Sequence, residues 1–194
     1  GDILGLTWVC VDISADDICP GAAYLRITKE LKRCQKDSLA ALERRGRSTV
    51  LLTFPEWKQT GSSTSLVLKA PKTESSVRKV FLPKTVALAL AEEKGRQQEI
   101  KKMLAGGYQD FDLVVAHEDG RPYEERQIAF LLRKLTDATG LPPVVFHSLR
   151  HCSASLKLQI GGGNIKAVQG DTGHAQSRMV TDLYAHTNNE ERRR

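Results

Sequence analysis

A long helix in the middle of the chain most constrains how this sequence can fold. Pro83 suits the entrance of a helix, because the first turn does not need the N–H group that proline lacks. The segment from about Lys84 to Ala105 then contains no proline, and Gly106-Gly107 ends it. Short strand-like runs precede this helix and helical segments follow it. The sequence therefore predicts an α+β fold, mostly helical, with a small antiparallel sheet in the N-terminal half.

The N-terminal half contains several short runs with strand character. Ser65–Leu68 and Val77–Leu82 are joined by a polar turn, Pro71–Ser76, and this arrangement predicts a β-hairpin. The opening residues, Gly1–Trp8, have apolar side chains at helical spacing, which predicts a helix already under way at Gly1. The other elements predicted here are strands at Val9–Ile13, Ala22–Ile27, Thr49–Phe54 and Leu113–Ala116, and a short helix at Ser38–Arg45.

The last third of the chain is predicted to be helical. A helix from about Tyr123 to Thr139 ends at Gly140, and its inner face is expected to carry Ile128, Leu131, Leu132 and Leu135. Glycine-rich segments separate the helices that follow. These later helices are predicted near His147–Ile160, Asn164–Gly170 and Ser177–Ala185.

Composition places the chain among ordinary globular proteins with a basic balance. Its 194 residues suffice for one sizeable domain or at most two small ones, and we expect a single domain over residues 1–194. The 29 Lys and Arg residues against 23 Asp and Glu give a net charge of +6, which suits a polyanionic partner. Four scattered cysteines, the lack of a signal peptide and the lack of a membrane-length apolar run predict a cytoplasmic protein without membrane contact.

Three short motifs in the C-terminal third carry residues suited to phosphoryl transfer. His147, Arg150 and His151 share one face if their segment is helical, because residues three and four apart are neighbours on a helix. His174 follows a glycine-rich segment at a helix entrance, and Tyr184 lies ten residues later. Together these side chains offer a nucleophile, cationic donors to non-bridging phosphate oxygens, and proton shuttles.

The motifs H-x-x-R, then Gly-His, then a tyrosine ten residues on, resemble the C-terminal signature of the tyrosine recombinases, the phage integrase family. The turn Pro71–Ser76 between two strands resembles the β-hairpin that bears the family's lysine. The opening Gly1–Trp8 resembles the end of the family's first sequence box. The likeness extends over nearly all of the chain, and residues 170–176 and 179–182 resemble integrases of conjugative transposons and related prophages. It implies the catalytic-domain fold of that family.

Carried over to this sequence, the resemblance implies a role for each of five residues. Tyr184 would attack the scissile phosphate and form a 3′-phosphotyrosyl bond. Arg150 would clamp the non-bridging oxygens, because a planar guanidinium matches phosphate bidentately. His174 would hydrogen-bond the same phosphate, Lys72 would protonate the leaving 5′ oxygen, and His147 would assist proton transfer. The resemblance implies no metal and no cofactor.

The resemblance also exposes one difference from the family pattern. The family's first catalytic arginine would lie two residues before Gly1, and Asp2 matches its acidic partner. We therefore expect this chain to be a nearly inert, monomeric fragment of an active recombinase that also carries N-terminal DNA-binding domains. We expect the longer protein to form a homotetramer on double-stranded DNA attachment sites and to integrate or excise a mobile element.

Individual residues allow other interpretations. Lys69 and Lys79 flank the same turn as Lys72, although the lysine before the turn threonine is favoured as the acid. His147 and His151 are spaced as half of a zinc site that a later histidine would complete. His151 is more commonly a helix-packing residue than a catalytic one.

The chain as a whole also allows two other functions. One is a non-catalytic DNA-binding module that keeps the same fold. The other is an enzyme that relaxes DNA as type IB topoisomerases do, with the same chemistry but without site specificity. A covalent DNA complex separates an enzyme from a binding module, and a requirement for two recombining sites separates a recombinase from a topoisomerase.

Overall fold

The structure is a computed structural model, described here over residues 1–46, 48–57, 61–71, 73 and 76–160. The chain divides into two compact units, one spanning Gly1–Tyr123 and one beginning at Glu124. Helices and antiparallel strands both occur, so the α+β class predicted from the sequence is confirmed. Within the described part of the chain, no helix is both long enough and apolar enough to cross a membrane.

The described residues of the first unit form six strands, three helices and two three-residue 3-10 helices, and those of the second form two helices. In chain order the elements are β1 (Val11–Asp12), α1 (Ala15–Ile18), β2 (Tyr24–Ile27), β3 (Glu30–Gln35), α2 (Lys36–Arg44), β4 (Val50–Thr53), β5 (Thr64–Lys69), β6 (Arg78–Phe81), α3 (Lys84–Leu104), α4 (Glu125–Thr139) and α5 (Phe146–Ile160). The 3-10 helices are Trp8–Cys10 and Ala105–Gly107.

The first antiparallel sheet has the strand order β1-β2-β6. β2 and β6 are paired from Tyr24 opposite Phe81 to Ile27 opposite Arg78. Successive side chains of a strand point to opposite faces, so one face of this sheet can be apolar while the other meets solvent. The apolar face covers a core of Leu6, Trp8, Ile27 and Val114, against which Leu25 and Val80 pack.

The second antiparallel sheet has the order β3-β5-β4, with β5 in the centre. Residues Ser65–Leu68 of β5 are all buried, as is typical of a strand covered on both faces. The predicted β-hairpin of Ser65–Leu68 with Val77–Leu82 is therefore wrong, because β5 pairs with β3 and β4 whereas β6 pairs with β2. Because β5 is the central strand of its sheet, β3 and β4 occupy both of its edges and leave none for β6.

The helix predicted at the opening of the chain is also wrong. Asp2–Gly5 form a turn, and Leu4, Leu6 and Trp8 are each 7% exposed whereas Ile3 is 63% exposed. The five consecutive residues Leu4–Trp8 are all buried, whereas a helix at a surface buries only one of its faces. The apolar residues that suggest helical spacing are therefore buried by contacts with the rest of the first unit.

The strand predicted at Leu113–Ala116 is reduced to two isolated bridges. Leu113 pairs with Thr7, and Ala116 pairs with Pro122. Leu113 and Val114 are nevertheless buried. These two apolar side chains therefore lie in the core, although no continuous ladder forms.

Helix α3 matches the predicted long helix to within one residue at its end and carries a buried polar side chain, Gln97, which is 4% exposed. The indole Nε1 of Trp8 donates a hydrogen bond of 2.8 Å to Gln97 Oε1. Gln97 Nε2 donates to the Val114 carbonyl at 2.9 Å and to Glu93 Oε1 at 3.1 Å. A buried amide without partners would cost about 1–3 kcal/mol, so these bonds fix α3 against the Trp8 and Val114 segments.

The stability of α3 is expected to depend on pH through Glu93. Arg96 donates hydrogen bonds of 2.7 and 2.8 Å to the two Glu93 oxygens and lowers the pKa of that carboxyl below its usual 4.5, against the opposing effect of burial. A carboxyl with a lowered pKa in the folded state stabilises the fold above its unfolded-state pKa and loses that contribution as pH falls. Glu93→Gln should therefore destabilise the chain near pH 7 and make little difference near pH 3, as urea unfolding across this range would measure.

The matched control for Glu93→Gln is Glu99→Gln. Glu99 also bonds to a cation three residues away, Lys102, at 2.8 Å, but its side chain is 68% exposed and the pair is solvated. Glu99→Gln should change stability little at any pH. An equal and pH-independent loss in both variants would contradict the role given to Glu93.

The buried stripe of α4 is narrower than the sequence predicts. Ile128 and Leu132 are half-buried and Thr136 is 3% exposed, so the stripe follows every fourth residue. Leu131 and Leu135 are 48% and 60% exposed, and their predicted inner position is wrong. Residues four apart form one ridge along a helix, and residues three apart belong to neighbouring ridges. In α4 only the ridge of Ile128, Leu132 and Thr136 is buried or half-buried.

Two glycines of the first unit should respond oppositely to alanine. Gly120 has φ of +86°, and a Cβ atom there would lie 2.2 Å from the carbonyl oxygen of Gln109. Gly120→Ala is therefore expected to destabilise the chain by about 2 kcal/mol or more. Gly95 is exposed within α3 with nothing within 4 Å of such a Cβ, so Gly95→Ala should stabilise it by about 0.5–1 kcal/mol. Denaturant unfolding of both variants would measure the difference, and a destabilised Gly95→Ala would contradict it.

Candidate active site

Helix α5 carries the predicted H-x-x-R motif. Its first turn is closed by bonds from the Ser148 and Leu149 N–H groups to the Val145 carbonyl, at 2.9 and 3.3 Å. His147 and Arg150 are three residues apart in a continuous helix and therefore lie on one side of it. His147 is exposed and Arg150 is half-buried. An accessible imidazole and a guanidinium that is partly withdrawn from water thus lie on the same side of α5.

The third member of this face is His151. Its ring meets the ring of His147 edge-on, with the centroids 4.5 Å apart and the planes at 82°. Its Nδ1 atom is buried and has no hydrogen-bond partner among the described residues. Of the two imidazoles, His147 is the more exposed. In the part of the chain that the structure covers, no three His, Cys, Asp or Glu side chains are grouped so that they could hold a metal ion.

Three of the five predicted site residues, Lys72, His174 and Tyr184, lie outside the described residues. Their assignments therefore stay predictions. The structure brings His147 and Arg150 together on α5.

The two lysines that competed with Lys72 both have local contacts. Lys69, at the end of β5, is 2.9 Å from the carboxylate of Glu30, directly across the ladder on β3. Lys79 Nζ lies 3.4 Å from the ring centroid of Tyr24. These contacts hold both side chains beside the sheets. The assignment of Lys72 as the acid stays a prediction.

Asp2, matched by the resemblance to the family's acidic site residue, is ion-paired with Arg78. Arg78 Nη2 lies 3.0 Å from Asp2 Oδ2, and its Nη1 donates to the Ser76 carbonyl at 3.0 Å. The Arg78 side chain is only 15% exposed. The pair thereby ties the opening turn of the chain to the start of β6.

Arg78 is a structural residue that sequence reasoning missed. The signal for it was available in the alternation of β6, because Arg78 falls on the same face as Val80, which packs on the core. A charged side chain on an apolar face needs a partner of opposite charge. The sequence does not indicate which acidic residue is that partner, and the structure identifies it as Asp2.

The fold and the α5 face together define an α+β protein whose candidate site presents imidazole and guanidinium groups suited to phosphate. Comparison with known proteins identifies the family within this class. The phage integrase family model matches residues 56–191, which is well over half of the chain. The chain therefore belongs to the phage integrase family, the family of tyrosine recombinases.

A similar curated protein and similar solved structures agree with membership of this family. A "tyrosine recombinase XerC-like" protein of Caldanaerobacter subterraneus subsp. tengcongensis is 24% identical over 190 residues, which is 96% of this chain and 41% of that protein. The Tn1549 transposon integrase in complex with transposon right-end DNA superposes with a TM-score of 0.61 at 18% identity, over 94% of this chain and 49% of that one. The XerA recombinase superposes with a TM-score of 0.58 at 17% identity, over 96% and 47%. The chain thus spans less than half the length of each of these proteins.

Proposed function

We propose that this chain is the catalytic domain of a site-specific recombinase that cleaves and rejoins DNA strands through a 3′-phosphotyrosyl intermediate. The observation that carries the proposal is the α5 face, where exposed His147 and half-buried Arg150 lie side by side in a chain of the phage integrase family. The net charge of +6 suits a DNA substrate. The Tn1549 integrase structures that superpose on the chain are complexes with DNA, which supports the same partner here.

In the proposed first step, the Tyr184 hydroxyl attacks the scissile phosphorus as its proton leaves with the help of His147. The bond between phosphorus and the 5′ oxygen breaks, and Lys72 gives a proton to that oxygen. Arg150 and His174 donate hydrogen bonds to the non-bridging oxygens, where negative charge increases in the transition state. The DNA strand is then held by a phosphotyrosyl ester and carries a free 5′ hydroxyl at the cut.

In the second step, the 5′ hydroxyl of a partner strand gives its proton to Lys72 and attacks the phosphotyrosyl ester. The bond between phosphorus and the Tyr184 oxygen breaks, and His147 returns a proton to that oxygen. One phosphodiester is lost and one is formed, so the exchange requires no external energy source. Arg150 contributes to both steps, because the same non-bridging oxygens become negatively charged in each. We propose that four copies of the protein act together in the cytoplasm on double-stranded attachment sites, to integrate or excise a mobile element.

The test is capture of the covalent intermediate. The native protein, with any residues that flank this chain in its own gene product, is incubated with attachment-site DNA nicked just 3′ of the scissile phosphate, so that the short leaving strand diffuses away. A DNA adduct that survives denaturing electrophoresis and yields phosphotyrosine on hydrolysis is expected. If DNA is bound without any adduct, the chain is a binding module. If the protein relaxes plasmids that lack the site, it is a topoisomerase.

A further inference from the structure

The outer face of the β1-β2-β6 sheet carries a compact group of aromatic and basic side chains. We call this group the aromatic-basic face and define it as Tyr24 and Arg26 of β2 with Lys79 and Phe81 of β6. Tyr24 is directly opposite Phe81, and Arg26 is directly opposite Lys79. Cross-strand partners and residues two apart point to the same side of a sheet. The four side chains therefore form a two-by-two array on the side away from the core that Leu25, Ile27 and Val80 cover.

The four side chains contact one another closely. Lys79 Nζ lies 3.4 Å from the ring centroid of Tyr24 and 4.8 Å from that of Phe81. The Arg26 guanidinium lies 5.5 Å from the Tyr24 centroid. The two rings meet edge to face at 6.3 Å. Each cation thus sits over a ring, within the range of a cation–π contact.

Two properties of this array are unfavourable for a surface that meets only water. Phe81 is 57% exposed although it is fully apolar, and Val77, which immediately precedes β6, is 51% exposed. Arg26 and Lys79 are like charges directly across a ladder, which destabilises a sheet. Among the described residues, neither cation forms an ion pair with a carboxylate. An anionic ligand with flat apolar groups would relieve both costs together.

We infer that the aromatic-basic face binds a short stretch of unpaired DNA, with a base stacked on Phe81 and the adjoining phosphate held by Lys79 and Arg26. Single-stranded nucleic acid is the ligand that combines repeated negative charges with repeated π faces, and proteins bind it with exposed aromatic rings flanked by cations. A duplex offers its phosphates but keeps its bases stacked inside, so it could use the cations and leave Phe81 in water. An acidic protein segment would likewise leave the ring without a partner.

This inference goes beyond the proposed cleavage chemistry, since it requires neither Tyr184 nor the α5 face. It concerns a surface contained within the first unit. One acidic residue borders the face, because Asp12 of β1 lies opposite Tyr24. Its position at the margin would direct the phosphate backbone toward the Arg26 and Lys79 side of the array.

The test measures binding of the 194-residue chain to three labelled DNA probes by fluorescence anisotropy. The probes are a ten-nucleotide oligothymidylate, an abasic strand of the same length and charge, and a duplex. The chain should bind the oligothymidylate about fivefold or more tightly than the abasic strand, because stacking on an aromatic ring is worth about 1–3 kcal/mol per base. Phe81→Leu should remove that preference and change duplex affinity less than twofold. Lys79→Gln should weaken binding to the oligothymidylate and to the abasic strand alike and reduce the salt dependence.

A matched control exists on α4, where Lys134 Nζ lies 5.9 Å from the centroid of Phe130, a residue that is 61% exposed. Phe130→Leu and Lys134→Gln remove the same chemical groups from an isolated pair and should leave the preference for bases intact. Thermal unfolding of each variant establishes that it is folded. The inference is overturned if the abasic strand binds as tightly as the oligothymidylate, if Phe81→Leu keeps the preference, or if the α4 variants lose it equally. Because no cleavage is measured, these outcomes are independent of whether the chain forms a covalent DNA adduct.

Discussion

Tyr184→Phe is expected to abolish the covalent protein–DNA adduct while DNA binding stays within about twofold of wild type. The substitution removes one oxygen atom and keeps the ring, so binding contacts are retained while the nucleophile is lost. Removal of a catalytic nucleophile lowers turnover by about four orders of magnitude or more. Adduct formation on the nicked attachment site, followed by denaturing electrophoresis, measures the first quantity, and anisotropy on intact duplex measures the second.

The control is Tyr123→Phe, which removes the same hydroxyl from a described residue. The Tyr123 ring stacks on His117 at 3.7 Å with the planes at 27°, and this contact does not require the hydroxyl. Tyr123→Phe should form the adduct at the wild-type rate. Adduct formation by Tyr184→Phe would show that another residue is the nucleophile, and the proposed mechanism would then be wrong.

Arg150→Lys is expected to lower the rate of adduct formation by about two to three orders of magnitude. Lysine keeps the positive charge but not the planar pair of N–H donors, so a bidentate contact with the non-bridging oxygens cannot form. Arg150 is half-buried on α5, which strengthens its interaction with a phosphate relative to that of a fully solvated arginine. Single-turnover kinetics at saturating DNA would separate this effect from a change in affinity.

The control for Arg150→Lys is Arg133→Lys on α4. Arg133 lies 3.9 Å from Asp137, and both side chains are more than two-thirds exposed, so its contribution to stability is small. Arg133→Lys should leave the cleavage rate unchanged. If Arg150→Lys weakened DNA binding without slowing the single-turnover rate, Arg150 would be a binding residue and not a transition-state donor.

Helices α3 and α5 were predictable because their signals are local. Pro83 and Gly106-Gly107 bracket α3, and its predicted and observed bounds differ by one residue. The face shared by His147 and Arg150 follows from helical geometry once α5 is recognised. Each helix end is marked by residues at that end, and the shared face involves residues within one turn. Neither inference needs knowledge of distant contacts.

Strand pairing could not be predicted in the same way. β5 and β6 are separated by a short polar turn, which favours a hairpin, yet each pairs with strands from other parts of the chain. Pairing is decided by burial summed over both edges and faces of a strand, which depends on segments far away in sequence. The burial of Leu4, Leu6 and Trp8 and the exposure of Leu131 have the same origin, because spacing alone does not say which apolar residues the rest of the chain covers.

The shared helix face of His147 and Arg150 was predictable from the sequence, whereas the partner of Arg78 was not. His147 and Arg150 were found from their spacing, whereas the Asp2–Arg78 ion pair joins residues 76 positions apart. No periodicity connects two such positions. An alternating strand with one arginine on its apolar face indicates that a partner must exist, and only the fold identifies Asp2 as that partner.

The direct pairing of Ile27 with Arg78 has a consequence for how this chain can vary in length. The segment between these two residues, which includes β3, α2, β4 and β5, leaves and re-enters the same sheet at adjacent points. Doubling the length of a loop whose ends are already held together costs only about 0.6 kcal/mol in closure entropy. Insertions and deletions between residues 28 and 77 should thus be the changes that the β1-β2-β6 sheet tolerates best. A natural chain could therefore lengthen this excursion, and a foreign domain spliced there would leave the sheet in register.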